Sequence, residues 1–262
     1  MIDDHQATPQ SAESEHAIGA GYGNEYLQWK GWGAETFGVL SRQEEVDISA
    51  QLRKSKTALA PQSRVLEIGF GNGKFLAYGK KRQWEMHGTE VNNGLLDSAR
   101  QKGFHVVHTE SLEPFPADQY DLVAAFDVLE HLPQEALFPF LQEIQRVLKD
   151  GGVFIARFPN GDSPFGRFIQ HADPTHLTTI GSSKARYFAK KLGVTIVYLG
   201  AEAQPILGGG GAHFVYRVIA VPIKYAMNLA LNFLFTPRTR RALCSTNLVL
   251  AFRVVKPTQQ TR

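Results

Sequence analysis

The residues best suited to chemistry begin at Glu67-Ile68-Gly69-Phe70-Gly71-Asn72-Gly73-Lys74, which follow a short apolar run and lead into Phe75 and Leu76. Glycines at such a spacing turn the chain sharply and let a ligand lie against bare main chain. Three kinds of nucleotide site use a turn like this. A P-loop needs Ser or Thr after Gly-Lys, and Phe75 stands there, so that reading is excluded. A dinucleotide fingerprint puts its third glycine five positions after its first; here the interval is four, which disfavours NAD and a nicotinamide oxidoreductase. An adenosine ligand remains, and it calls for an acidic residue at the end of the second strand to accept from both ribose hydroxyls. Glu90 stands at that place, the alternative being an ordinary solvated carboxylate.

A second group of residues suits proton transfer. His131 follows the apolar run 120–126, and Asp173-Pro174-Thr175-His176-Leu177 follows the run 152–158. Imidazole titrates near neutral pH, the property a general base needs. His176 is the stronger candidate base, with Asp173 and His171 as neighbours able to orient it; equally, its loop would only shape a substrate pocket. His131 is read either as a base or as a helix-start residue bonded to backbone. No metal is expected, because the chain lacks both an i, i+4 histidine pair near these residues and any cysteine cluster.

These residues need elements to carry them. Apolar runs at 64–69, 84–91, 104–108, 120–126, 152–158 and 194–199 alternate with helical spacing at 74–82, 93–102, 134–149 and 182–192. The alternation predicts an α/β fold, doubly wound and Rossmann-like, with helices on both faces of a mostly parallel sheet and ligands at the carboxyl ends of its strands. Lys149-Asp150-Gly151-Gly152 reads as the end of one helix turning into a strand. A last run, 247–255, arrives without an intervening helix and predicts an antiparallel seventh strand.

Glu67-x-Gly69-x-Gly71-x-Gly73 resembles motif I of class I S-adenosylmethionine-dependent methyltransferases, and Glu90 resembles their second-strand acid. Glu113-Pro114-Phe115-Pro116, Tyr120-Asp121 and Phe126-Asp127-Val128-Leu129-Glu130-His131-Leu132-Pro133 resemble the fourth-strand region of the branch containing ubiquinone-biosynthesis O-methyltransferases. Arg146 to Gly152 resembles the entry to strand five. The resemblance covers residues 60–200 and the final strand. It implies S-adenosyl-L-methionine as cofactor and S-adenosyl-L-homocysteine as product. Glu67, Gly69, Gly71 and Gly73 would lie at the methionine moiety, Glu90 at the ribose, and Phe126 and Asp127 at the sulfonium end. Glu110 and Ser111 stand where the family often presents an aspartate to adenine. Bacterial glycan methyltransferases near this family suggest as acceptor a hydroxyl of a saccharide or lipid-linked glycan. A quinone-type phenol, another small molecule and a non-catalytic cofactor-binding module are the alternatives.

Composition sets outer limits. The chain has 262 residues, 43% of them hydrophobic, which suffices for a core, and a net charge of only +3, which argues against nucleic acid as partner. The single cysteine, Cys244, precludes an internal disulfide and reads as a small buried hydrophobe. Residues 1–18 read as a disordered lead with no secretory pattern, so a cytoplasmic location is expected. Residues 19–60, with Tyr22, Tyr26, Trp29, Trp32 and Phe37, read as an N-terminal helical cap, and 61–262 as the methyltransferase domain. Within it lies an apolar insertion at about 205–241. A four-glycine hinge, Gly208 to Gly211, precedes an apolar segment, 214–235, whose Arg217, Lys224, Asn228 and Asn232 fall on one narrow arc. Pro222 is expected to kink it. A polar stripe favours lying on a surface over crossing a bilayer. The candidates are packing on the core, a homodimer partner, or contact through 214–241 with the inner face of the cytoplasmic membrane, to which Arg238, Arg240 and Arg241 would add attraction.

Overall fold

A computed structural model describes residues 23–208 and 210–256. The expected lead over 1–18, Tyr22 and Gly209 lie outside the described residues. Seven strands form one sheet: β1 Arg64–Ile68, β2 Glu85–Glu90, β3 His105–His108, β4 Tyr120–Phe126, β5 Leu148–Pro159, β6 Thr195–Ala201 and β7 Asn247–Arg253. Their spatial order is β3-β2-β1-β4-β5-β7-β6. Neighbours from β3 to β5 pair in parallel, while β7 pairs antiparallel with both β5 and β6. This is the expected doubly wound sheet with an antiparallel last strand.

Side-chain alternation in β4 shows how one strand serves two cores. Leu122 and Ala124 join Val65, Leu76 and Leu96 on one face; Val123 and Ala125 join Leu66, Leu141 and Ile144 on the other. The helices among the described residues are α1 Asn24–Lys30, α2 Arg42–Lys54, α3 Lys74–Lys81, α4 Asn93–Gln101, α5 Gln134–Val147, α6 Pro164–Ala172, α7 Ser182–Leu192 and α8 Gly211–Phe235. The part of the cap that is described contains α1 and α2, and Ser41 with Glu44 forms a reciprocal capping box at the start of α2.

Several boundaries differ from expectation. α5 ends at Val147, not Lys149, and residues 148–151 already belong to β5, whose register slips between Tyr120 and Leu122 of its partner. Pairing to β4 overrides the glycine stop signal; Gly151, at φ 75°, turns within the strand. α6 was not foreseen, although Ser163-Pro164 carries its start: the Ser163 hydroxyl accepts from Phe165 N–H and proline occupies the first helical turn. His176 thus lies between α6 and α7 rather than directly after β5. Gly210 and Gly211 begin α8 rather than forming part of a hinge, and the helix runs as one element through Pro222. Cys244 is half-buried, not fully enclosed.

Candidate active site

The turn after β1, Glu90 at the end of β2, Thr109 and Glu110 after β3, and residues 126–128 and 130–132 around the end of β4 converge at one edge of the sheet, as its topology requires. They line a cavity of about 740 Å³. Tyr26, Leu27, Lys30 and Trp32 of the cap close one side of it, and Arg217 of α8 reaches another.

Gly69 and Gly71 stand on the cavity wall with left-handed backbone at φ 61° and 51°. A Cβ on Gly71 would come within 2.9 Å of the Trp32 ring. Gly73 is a correction: it faces away from the cavity, where a Cβ would lie 2.3 Å from Phe37, so this glycine admits the cap rather than a ligand. Gly71 N–H donates to Glu90 at 3.0 Å, while Val91 and Asn92 N–H groups donate to its other oxygen at 2.8 and 3.1 Å. The backbone thus fixes the carboxylate while leaving lone pairs for further donors.

Glu67 is buried on the same wall, and its Oε2, like Asn72 Oδ1, has no hydrogen-bond partner. Burial, reinforced by the nearby Glu90 carboxylate, pushes the Glu67 carboxyl well above its ordinary range. Two buried acceptors without donors suit a ligand that brings an ammonium group. Glu110 lines the cavity, but Ser111 does not and is the second correction: it is spent on the local turn, accepting from Glu113 N–H and bonding Thr109.

Phe126 and Asp127 both face the cavity. Asp127 adopts φ 57°, and this conformation is held by its ion pair with Arg157, whose Nε donates at 3.0 Å. Arg157 also reaches Glu202 at 3.3 Å and lies over the Phe126 ring, yet it did not stand out in sequence. Its signal was a lone charge inside the apolar run 152–158.

The histidines come together. His131 ends a 3-10 turn, Leu129–His131, and its ring meets that of His176 edge-on at 4.6 Å between centroids. His131 Nδ1 lies 3.2 Å from the Thr175 carbonyl and 3.0 Å from its hydroxyl. Burial, with the neighbouring His176, lowers its pKa to about 4. His176 Nδ1 is 3.1 Å from the Gln170 carbonyl, which only accepts, so Nδ1 carries the proton and Nε2 the lone pair. Nε2 lies 3.9 Å from both Glu130 and Asp173.

Asp173 does not line the cavity. It accepts from the Thr175 hydroxyl at 2.5 Å and pairs with Lys30 at 3.1 Å; burial alone would raise its pKa, but these partners hold it at about 2. His171 is exposed at the end of α6, so the expectation that it orients His176 is corrected. Glu130, overlooked in sequence despite its place beside His131, is 1% exposed, and neither carboxyl oxygen has a hydrogen-bond partner. Burial first, then Asp127, pushes it well above the ordinary carboxyl range. Ligand atoms of Glu130, His131 and His176 lie within 4.8 Å of one another, a spacing that would also suit a divalent cation.

Residues 66–156 match the profile of a family described as a methyltransferase domain. That match, together with the glycine turn and Glu90, supports methyl transfer from S-adenosylmethionine as the activity of this region. The fold is shared with solved structures of low identity. A SAM-dependent methyltransferase from Archaeoglobus fulgidus has 20% identity and a TM-score of 0.61, over 87% of this chain and 99% of that one. A SAM-dependent methyltransferase from Aquifex aeolicus has 14% identity and a TM-score of 0.55, over 85% and 97%. The [4+2]-cyclase SpnF has 18% identity and a TM-score of 0.53, over 86% of each. No curated protein matches the sequence significantly.

Proposed function

We propose that this chain is an S-adenosylmethionine-dependent methyltransferase that acts on a hydroxyl group, that of a saccharide or a lipid-linked glycan. The observation that carries the proposal is the His176–Glu130 pair on the cavity wall, beside Phe126 and Asp127. Glu90 would hold the ribose, the Gly69–Gly71 main chain with Glu67 the methionine end, and Glu110 the adenine side. When bound, S-adenosylmethionine supplies a methyl group made electrophilic by its sulfonium. The chain's own task is then to align an acceptor oxygen and remove its proton.

His176 Nε2 is positioned for that removal. The imidazolium formed would face the ionised Asp173, held in turn by Thr175 and Lys30, so Asp173 acts as a positioning residue. His131, neutral down to about pH 4, is too weak a base to compete and instead walls the site. Burial favours the neutral form of the Glu130 carboxyl, so beside His176 Nε2 it takes up no proton but offers an oxygen to face the imidazolium.

An alcohol hydroxyl is less acidic than a phenol, so a built base counts most for a saccharide. Beyond the base the wall offers Lys30, Glu202, Gln204 and Asn247, both donors and acceptors, as a polyhydroxylated acceptor requires. Tyr26 and Trp32 on the cap side favour the second reading, a quinone-type phenol stacked between rings. Incubation with methyl-labelled S-adenosylmethionine and, separately, saccharide, glycolipid and phenolic acceptors tests the choice. Label appearing in phenols alone would overturn the saccharide reading.

A further inference from the structure

α8 is amphipathic in the reverse sense for a helix lying on a protein. Its polar residues face the body. Arg217 Nη1 and Nη2 bind Asp47 at 2.7 and 3.1 Å, and Nη1 also donates to the Pro205 carbonyl at 2.7 Å. Asn232 Oδ1 accepts from Arg241 N–H at 2.7 Å while its Nδ2 donates to the Arg241 carbonyl at 2.9 Å, and Asn228 accepts from Cys244 N–H. Arg217 and Asn232 are the buried residues of the helix.

The opposite side carries no charge and remains in the open. Val215, Tyr216, Ile219, Ile223, Phe233 and Leu234 are each more than half exposed. Over its 25 residues the helix extends about 37 Å. An uncharged apolar face of that length far exceeds what a solvated surface ordinarily leaves uncovered. The packing on the core considered from sequence is corrected: the core receives the polar stripe instead.

We infer that this face of α8 docks on an anionic lipid bilayer, with the helix lying in the plane of the headgroup–acyl boundary. Three observations select lipid as the occupant. After Glu202 the sequence contains no Asp or Glu but eight Lys or Arg, and Arg238 and Arg240 are exposed just beyond the helix. Such one-signed charge beside an apolar face complements anionic headgroups and would repel itself across a symmetric pair of copies. Second, α6, bonded to the segment that follows α8, exposes apolar rings of its own. Asp162 and Ser163, at the start of α6, bind Arg241 and the Leu243 carbonyl, at 2.7 Å each, and α6 exposes Phe165 and Phe168 with Arg167 between them. Third, although α8 is long and apolar enough to cross a bilayer, the buried ion pair and amide bonds tie its polar stripe to the body, which suits lying over crossing. The inference stands apart from the acceptor proposed above, and lipid binding is read without any methyl transfer.

The test is sedimentation of the full chain with vesicles of phosphatidylcholine alone and of phosphatidylcholine mixed with phosphatidylglycerol. The expected result is binding to the mixed vesicles, weakened at least about tenfold by Ile223→Asp and, independently, by Phe233→Asp. Both positions are exposed, so circular dichroism should leave each variant folded, and two sites guard against the failure of one. Arg238→Gln with Arg240→Gln should lower binding to mixed vesicles by about tenfold or more while leaving any weak binding to phosphatidylcholine unchanged. Absence of binding by the unmodified chain, or equal binding by both aspartate variants, overturns the inference. So does a dimer in solution that Ile223→Asp dissociates without any vesicle binding, or resistance to alkaline extraction from vesicles, which would mark a spanning helix.

Discussion

His131→Asn should flatten the dependence of stability on pH. The asparagine amide can still donate to the Thr175 carbonyl, but nothing at position 131 titrates. In the native protein, burial and the adjacent His176 take the His131 pKa from its ordinary 6.5 to about 4. Between these values the unfolded chain binds a proton that the folded chain refuses. His131 therefore leaves stability intact above about pH 6.5 and removes it as pH falls toward 4. At about 1.4 kcal/mol for each tenfold change in proton affinity, the full effect is about 3 kcal/mol. Glu67 and Glu130, whose raised pKa values favour the folded state on acidification, work in the opposite direction, and Asp173 contributes its own loss only at lower pH. The quantity to compare is thus the difference between unmodified and variant chains. Urea unfolding at pH 7 and pH 4.5 should show the unmodified protein losing about 2–3 kcal/mol more than His131→Asn over that interval. Parallel losses would refute the reasoning.

Other outcomes follow from the same geometry. His176→Ala should lower turnover by roughly 10²- to 10⁴-fold with S-adenosylhomocysteine affinity unchanged, and the unmodified enzyme should keep its activity in EDTA; loss in EDTA would instead assign the Glu130–His131–His176 cluster to a cation. Cofactor binding should release protons at any pH where the raised Glu67 carboxyl is still protonated in the free protein, because an incoming ammonium favours its charged form; titrations in buffers of different ionisation enthalpy detect this, and Glu67→Gln should abolish it. Gly73→Ala should cost about 1–3 kcal/mol in thermal unfolding, since φ 67° is strained for alanine and its methyl would meet Phe37.

Much of this molecule was legible in its residues. Strand β4 was found at its true bounds because its neighbours bury both its faces, giving an apolar run interrupted only by Asp121, and α7 because its serines and Gly193 punctuate it. The helix end at Lys149 was misjudged since strand pairing, a non-local effect, outweighs a local glycine signal. Gly73 illustrates a different difficulty: sequence shows that a position needs glycine without showing whether a ligand or the protein's own Phe37 demands it. Glu130 escaped notice because its significance comes from burial and from His176, distant in sequence. The reversal of α8 was similarly hidden, for periodicity shows that a helix has two faces but not which of them meets the body.

The most direct measurement is calorimetric titration of the protein with S-adenosylhomocysteine and, separately, NAD, repeated with Glu90→Ala. Saturable binding of S-adenosylhomocysteine, at least about tenfold weaker in the variant, with no binding of NAD, is the predicted result. Heat from NAD alone, or an affinity for S-adenosylhomocysteine indifferent to the loss of the Glu90 carboxylate, would contradict it.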